Sequence, residues 1–179
     1  MKGFLGLLRI AISRGRVTFR YPKKKTTIPE GLRGKPEIDF EACIGCGGCV
    51  SACPSDALTF KDNSDVRVIS LFYGRCIFCG RCEESCPVGA ITLTNVFELA
   101  SLDREHLEVV AEYKLARCRS CGRYYATEKC LEDVLSAYNE ALTDYDEDLR
   151  DTILVCVECR RKEWSEKLAQ TRREVVKYE

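Results

Sequence analysis

At 179 residues the chain has room for one domain or two small ones, and its 28 basic and 28 acidic residues cancel. The balance hides an asymmetry: residues 1–29 hold Lys2, Arg9, Arg14, Arg16, Arg20, Lys23, Lys24 and Lys25 and no acid, leaving 20 basic against 28 acidic residues, a net −8, in the rest. Such a split marks an end that meets an anionic surface, and thirteen cysteines would mark a secreted disulfide scaffold if their spacing did not argue for free thiolates in a reducing compartment.

The first expected element is a basic amphipathic docking helix within residues 1–20. Phe4, Leu5, Leu7, Leu8, Ala11 and Ile12 recur at helical spacing on one face, with Lys2, Arg9 and Ser13 toward the other and Ile10 out of pattern. Such a helix lies flat in a membrane interface or in a groove of a partner subunit, or else packs on its own domain. The apolar stretch is too short to cross a bilayer, and it is interrupted by Gly6 and Arg9 with no small-residue cleavage site after it, unlike a secretory signal. An Arg-rich, acid-free start also fits a mitochondrial transit peptide; a retained helix is the preferred reading. Only Phe19 and Tyr21 interleave with the basic residues and no recognised module surrounds them, so nucleic acid is not an expected partner.

Residues 21–36 read as an extended linker, because Pro22, Pro29 and Pro36 push their predecessors toward β or polyproline geometry and Gly31 and Gly34 add turns. Residues 37–95 follow as a small α+β domain. Its expected strands are Glu37 to Phe40, a hairpin of Ala57 to Phe60 and Val66 to Phe72, and Ala90 to Leu93. Between them one motif is written twice: Cys43, Cys46, Cys49 and Cys53-Pro54, then Cys76, Cys79, Cys82 and Cys86-Pro87, offset by 33 residues. This is C-x2-C-x2-C-x3-C-P in duplicate, the spacing of a duplicated bacterial-type ferredoxin that holds two [4Fe–4S] clusters and takes each fourth ligand from the other repeat. Cys43, Cys46, Cys49 and Cys86 are therefore assigned to one cluster, and Cys76, Cys79, Cys82 and Cys53 to the other. About 60 residues is thin for a self-sufficient core, so the clusters are expected to contribute to folding itself.

Residues 96–117 are expected to form a helical connector, with helical character from Phe97 to Leu115; His106 within it is read as a solvated residue without function. Residues 118–179 are expected to be a helical, zinc-ribbon-like metal-binding domain. Cys118-Arg-Ser-Cys121 and, after 34 intervening residues, Cys156-Val-Glu-Cys159 are two knuckles able to aim four thiolates at one point. The expected metal is Zn2+, with a single iron on the same sulfurs as the alternative. A helix from Glu128 to Leu142 joins the knuckles; Cys130 on it reads as a small buried residue, and Trp164 in the C-terminal helix as a core or interface anchor.

The runs Tyr21-Pro22, Gly31 to Glu37, Cys43-Ile-Gly-Cys46, Cys53 to Leu58, Gly74 to Glu84 and Cys86 to Ile91 resemble the two-cluster electron-transfer subunit shared by respiratory NADH:quinone oxidoreductase (subunit I) and the membrane-bound energy-converting [NiFe] hydrogenases. The resemblance covers roughly residues 1–100. The longer chain with its C-terminal knuckles looks most like the iron–sulfur subunit of formate hydrogenlyase and related complexes. It implies a wire that passes electrons through two clusters toward a cluster-bearing neighbour and a catalytic subunit, peripheral on the cytoplasmic face of the cell membrane, with residues 1–36 docking on a membrane-domain subunit. A quinone- or sulfur-reducing complex, a freely diffusing ferredoxin with a zinc-binding tail and a non-redox regulator are the alternatives. No acid–base pair, nucleophile or phosphate loop stands near the clusters to suggest side-chain catalysis.

Overall fold

A computed structural model of the chain describes residues 2–18, 21–23, 27–141 and 147–175. Phe19, Arg20, Lys24, Lys25 and Leu142, which enter the reading above, lie outside them. The chain divides into two units, Met1–Leu32 and Arg33–Glu179. In the first, helix α1 (Lys2–Arg14) stops at Gly15, whose left-handed backbone (φ 59°) lets its N–H donate to the Ala11 carbonyl at 3.2 Å. Phe4, Leu5, Leu7, Leu8, Ile10 and Ile12 on α1 are all exposed. No helix among the described residues is long and apolar enough to cross a membrane.

The second unit carries two antiparallel sheets. Strand β1 (Pro36–Ile38) pairs with β4 (Ile91–Leu93), while β2 (Leu58–Asn63), β3 (Val66–Phe72), β5 (Glu108–Arg117) and β6 (Tyr124–Thr127) form a four-stranded sheet in the order β2-β3-β5-β6. The 33-residue offset of the cysteines is also an offset of structure. The pair Ile38↔Ile91 of the small sheet maps onto Leu71↔Leu58 of the large one. Left-handed positions repeat in the same way: Gly45 with Phe78, Gly47 with Gly80, and Asp56 with Gly89. Short helices α2 (Gly48–Ala52) and α3 (Arg81–Glu84) start from the second of these pairs. Ala57, Leu58, Ile69, Leu71, Ile91 and Tyr113 make the core, against which six of the eight repeat cysteines pack or lie buried.

Residues 96–117 correct the expectation of a helical connector. Glu105–Leu107 is a single 3-10 turn, where exposed His106 places Nδ1 3.3 Å from Ser101 Oγ, and Glu108–Arg117 is strand β5. Along it Val109, Ala111, Tyr113 and Leu115 turn inward, whereas Glu108, Val110, Glu112 and Lys114 face out. Ala, Leu, Glu and Lys favour helices in isolation, but the alternation has a period of two. β3 offers a free edge that β5 pairs in full register from Val66↔Lys114 to Phe72↔Glu108. Sheet pairing overrides propensity when one face is buried.

Beyond β6, helix α4 (Glu128–Ala141) packs on β5 and β6, followed by α5 (Glu147–Ile153) and α6 (Val157–Val175). Trp164 on α6 is 63% exposed and so is not a core residue. The hairpin β5–β6 has a consequence for the first cysteine loop. Thr127, 1% exposed, donates its hydroxyl to the Ile44 carbonyl. Lys129 Nζ donates to the carbonyls of Glu41 at 2.7 Å, Cys43 at 3.3 Å and Phe40 at 3.4 Å. From β3, Arg67 grips Asp62 through Nε at 2.7 Å and Nη2 at 2.9 Å while Nη1 donates to the Gly45 carbonyl at 3.3 Å. That guanidinium bonding outweighs the opposing effect of burial and holds the Asp62 carboxyl below its ordinary pKa. The loop at 40–46 is thus braced by residues that follow it by more than 20 positions and, for Lys129, by 88.

Leu115→Ala is expected to cost about 2–5 kcal/mol of unfolding free energy, and Lys114→Ala to stay within about 0.5 kcal/mol; denaturant titration of the two variants reads the alternation of β5 directly. At Gly45, with φ 68°, an added Cβ would lie 2.8 Å from Tyr113 Cγ and 2.9 Å from Thr127 Cγ2. Gly45→Ala therefore combines a left-handed penalty of about 1–2 kcal/mol with overpacking of about 1–3 kcal/mol. Thermal unfolding of the anaerobically prepared chain should register the loss, and an unchanged midpoint would dismiss the brace.

Candidate metal centres

Two pockets in the second unit collect the eight repeat cysteines. Cys43, Cys46, Cys49 and Cys86 line the first, walled by Ile38, Ile69, Ile91 and Ala111. Cys53, Cys76, Cys79 and Cys82 line the second, walled by Leu58, Leu71, Ile77 and Leu93. Each receives three cysteines from one repeat and one from the other.

Local chain chemistry explains the placement. Asp39 Oδ1 accepts from the Glu41 and Ala42 N–H groups at 2.9 and 3.2 Å, forming an Asx turn that delivers Cys43. Left-handed Gly45 and Gly47 then carry Cys46 around to α2, which bears Cys49; the Gly48 N–H donates to Cys46 Sγ at 3.5 Å. In the second loop a 3-10 turn, Tyr73–Arg75, precedes Cys76, and α3 bears Cys82. Arg33 donates Nη1–H to the Cys79 carbonyl at 3.2 Å, tying the start of the unit to this loop. The two cysteines that cross between repeats are treated alike. The Ala90 N–H donates to Cys86 Sγ at 3.2 Å. At Cys53 burial works against ionisation, yet the N–H groups of Leu58, Ser55 and Ala57 with the Ser55 hydroxyl bring the thiol below its ordinary pKa.

The donor sets fit iron–sulfur clusters. Burial pushes the Cys49 thiol up to about 12, helped by the negative charge of Cys43 and Cys46. Burial likewise pushes Cys82 up to about 11, outweighing the hydrogen bond from the Glu83 N–H, with Cys76 and Cys79 adding to the rise. Thiols so crowded in apolar walls ionise together only around a cation in their midst, and metal coordination deprotonates them outright. Four-sulfur sites with apolar surroundings suit Fe–S clusters.

A third group lies at the far end of the β5–β6 hairpin. Cys118–Arg123 is the turn joining the two strands, closed by the Cys118 N–H to the Arg123 carbonyl at 2.8 Å and the Gly122 N–H to the Cys118 carbonyl at 2.9 Å. Cys156 and Cys159 come from the start of α6. The Sγ atoms of Cys118, Cys121, Cys156 and Cys159 all lie within 4.8 Å of one another, and all four are free thiols. A tetrahedral zinc with Zn–S bonds of about 2.3 Å would set its sulfurs roughly 3.8 Å apart, and Cys121 and Cys156 already stand at 3.7 Å. Burial would raise the Cys118 thiol, but the N–H groups of Cys156, Cys121 and Ser120 overcome it and hold Cys118 down to about 6. The ion pairs Arg119–Asp151 at 2.6 Å and Arg123–Glu158 at 3.2 Å flank the group. Cys130 is not part of it. Half-buried on α4, with its N–H bonded to Thr127 Oγ1 at 3.3 Å, it lies nearer in charge to Cys46 and Arg67.

Sequence reasoning did not find Arg67, Tyr113, Thr127 or Lys129, which frame the first pocket and its loop. For Tyr113 the period-two pattern of β5 was the available signal.

Comparison with known proteins identifies the domain that carries the two repeats. A family model for the 4Fe-4S dicluster domain matches residues 42–90 and 75–134. The chain is 36% identical over 157 residues to formate hydrogenlyase subunit 6 of Escherichia coli (strain K12), covering 87% of each chain. Over 98 residues it is 42% identical to the chloroplastic NAD(P)H-quinone oxidoreductase subunit I of Spinacia oleracea, covering 51% of this chain and 58% of that one. Among solved structures, a chain from the membrane-bound sulfane sulfur reductase, an archaeal respiratory membrane complex, aligns over 59% of this chain and 57% of that one at 28% identity, with a TM-score of 0.42. A likeness that runs through most of both chains, together with the dicluster family model, shows that the protein belongs to the family of two-cluster iron–sulfur electron-transfer subunits that includes formate hydrogenlyase subunit 6.

Proposed function

We propose that the chain relays electrons within a membrane-bound, hydrogenase-type respiratory complex, with one [4Fe–4S] cluster held by Cys43, Cys46, Cys49 and Cys86 and the other by Cys76, Cys79, Cys82 and Cys53. The observation that carries the reading is the sorting of eight cysteines into two apolar pockets, three from one repeat and one from the other in each. The clusters supply one-electron chemistry. The chain's own residues hold the thiolates, exclude water with Ile38, Ile69 and Ile91 on one side and Leu58, Leu71 and Leu93 on the other, and present amides to the sulfurs. The partners are the other subunits of the complex: a cluster-bearing neighbour, a catalytic subunit, and a membrane-domain subunit reached through residues 1–36. The exposed apolar residues of α1 beside an acid-free basic sequence support that docking, and the reading places the chain peripheral to the membrane, on its cytoplasmic face. Cys118, Cys121, Cys156 and Cys159 hold zinc as a structural site at the tip of β5–β6. An equivalent place in a quinone-reducing complex is the second reading, favoured by the 42% identity to a quinone oxidoreductase subunit.

Isolation of the native assembly from detergent-treated membranes under anaerobic conditions tests the assignment. Nickel in the assembly and hydrogen evolution from a reduced low-potential donor are the expected outcomes. A membrane complex without either favours the quinone-reducing reading, and recovery only in the soluble fraction sinks both. The ligand sets are tested separately. In Cys53→Ser, iron should fall from about eight toward about four atoms per chain, the lost cluster being the one that Cys82→Ser also removes; damage confined to the cluster removed by Cys49→Ser would show the crossing wrong. Cys156→Ser should release zinc and leave the iron count intact.

A further inference from the structure

The phenol of Tyr113 is placed against the first pocket in a way that its packing alone does not explain. Tyr113 is 8% exposed and comes from β5, outside the duplicated motif. Its ring closes over Gly45. Its hydroxyl oxygen is a buried polar atom with no hydrogen-bond partner among the described residues. A buried donor without an acceptor is costly and rare in native structures. The pocket that Tyr113 lines has Ile38, Ile69, Ile91 and Ala111 for walls, and the chemistry it offers a donor is sulfur, from Cys43, Cys46, Cys49 and Cys86. The second pocket has no tyrosine in its lining; its hydroxyl is Ser55, 3.7 Å from Cys53 Sγ. The linings of the two pockets thus differ by one phenol.

We propose that Tyr113 donates its O–H to the sulfur of the cluster site formed by Cys43, Cys46, Cys49 and Cys86, and thereby raises the reduction potential of that cluster alone. The inference rests on the ligand assignment proposed above. Hydrogen bonds to sulfur are one of the factors that set cluster potentials, and a donor gains strength as its acceptor becomes more negative. When one electron arrives from the upstream donor, the O–H therefore stabilises the reduced form; when the electron leaves for the next acceptor, that stabilisation is given up. The phenolic proton stays on oxygen throughout, since an ordinary phenol with a pKa near 10 is already protonated at neutral pH. No other group in the pocket lining supplies a hydroxyl donor.

The test uses the full-length chain, prepared anaerobically with its clusters and titrated with dithionite and redox mediators while each cluster is followed by electron paramagnetic resonance. Tyr113→Phe keeps the ring on Gly45 and deletes only the hydroxyl. One cluster, the one whose signal Cys49→Ser alters, should become harder to reduce by about tenfold in its equilibrium, about 59 mV for a one-electron couple, with iron and sulfide contents unchanged and the other cluster unmoved. Incorporation of 3-fluorotyrosine at position 113, a more acidic phenol and a stronger donor, should move the same cluster in the opposite direction. If Tyr113→Phe fails to retain iron, the fluorotyrosine chain decides: a raised potential supports the proposal and an unchanged one overturns it. A shift in the signal that Cys82→Ser alters, or an equal shift in both, overturns the role of Tyr113 and leaves the ligand sets standing. A wild-type chain without two cubane signals overturns the ligand reading first and this proposal with it.

Discussion

Cys49 and Cys82, one in each pocket, resist ionisation because they are buried beside other cysteines. Each stands in apolar walls, where a thiolate is costly without a cation beside it and a cationic cluster core supplies one. The remainder of residues 33–95 follows from that constraint. Strands of three residues such as β1 and β4 cannot make a stable sheet by themselves, so the clusters act as the centre around which Leu58, Leu71, Ile38 and Ile91 assemble. Metal binding and folding share one free energy in such a domain.

Duplication supplies the frame, and the C-terminal half then breaks its symmetry. The offset that relates Cys43 to Cys76 also relates Gly47 to Gly80 and Asp56 to Gly89 in backbone conformation. Yet only the large sheet is extended, by β5 and β6, and only the first loop is held by Lys129, Thr127 and Arg67. Two sites built to one plan are thereby given different surroundings, which is how a single fold can carry clusters with different properties.

The cysteine spacing made both pockets and the third thiol group readable in advance, because ligand geometry ties sequence distance to spatial distance within a tight loop. The hairpin at Leu58 and Val66 and the helix from Glu128 were readable for a similar reason, since their periodicity is local. β5 was not. Its Ala, Glu, Leu, Lys and Arg residues suit a helix, and what makes it a strand is the free edge of β3, a partner some 40 residues earlier in the chain. The grip of Lys129 on the carbonyls of residues 40–43 is likewise invisible to a pattern search, because a lysine on a helix face carries no mark of an acceptor 88 residues away.

The hairpin β5–β6 joins the third thiol group to the first pocket. Its turn is Cys118–Arg123, and its other end runs into Thr127 and Lys129 on the loop of Cys43. A ligand that binds only the gathered form of Cys118, Cys121, Cys156 and Cys159 stabilises that form by mass action. Part of that stabilisation is transmitted to the loop, because the same short hairpin must be in place for both. Reciprocity of linkage makes the effect run both ways. On the ligand sets proposed above, filling one site would make the other easier to fill, and partly loaded forms would be disfavoured.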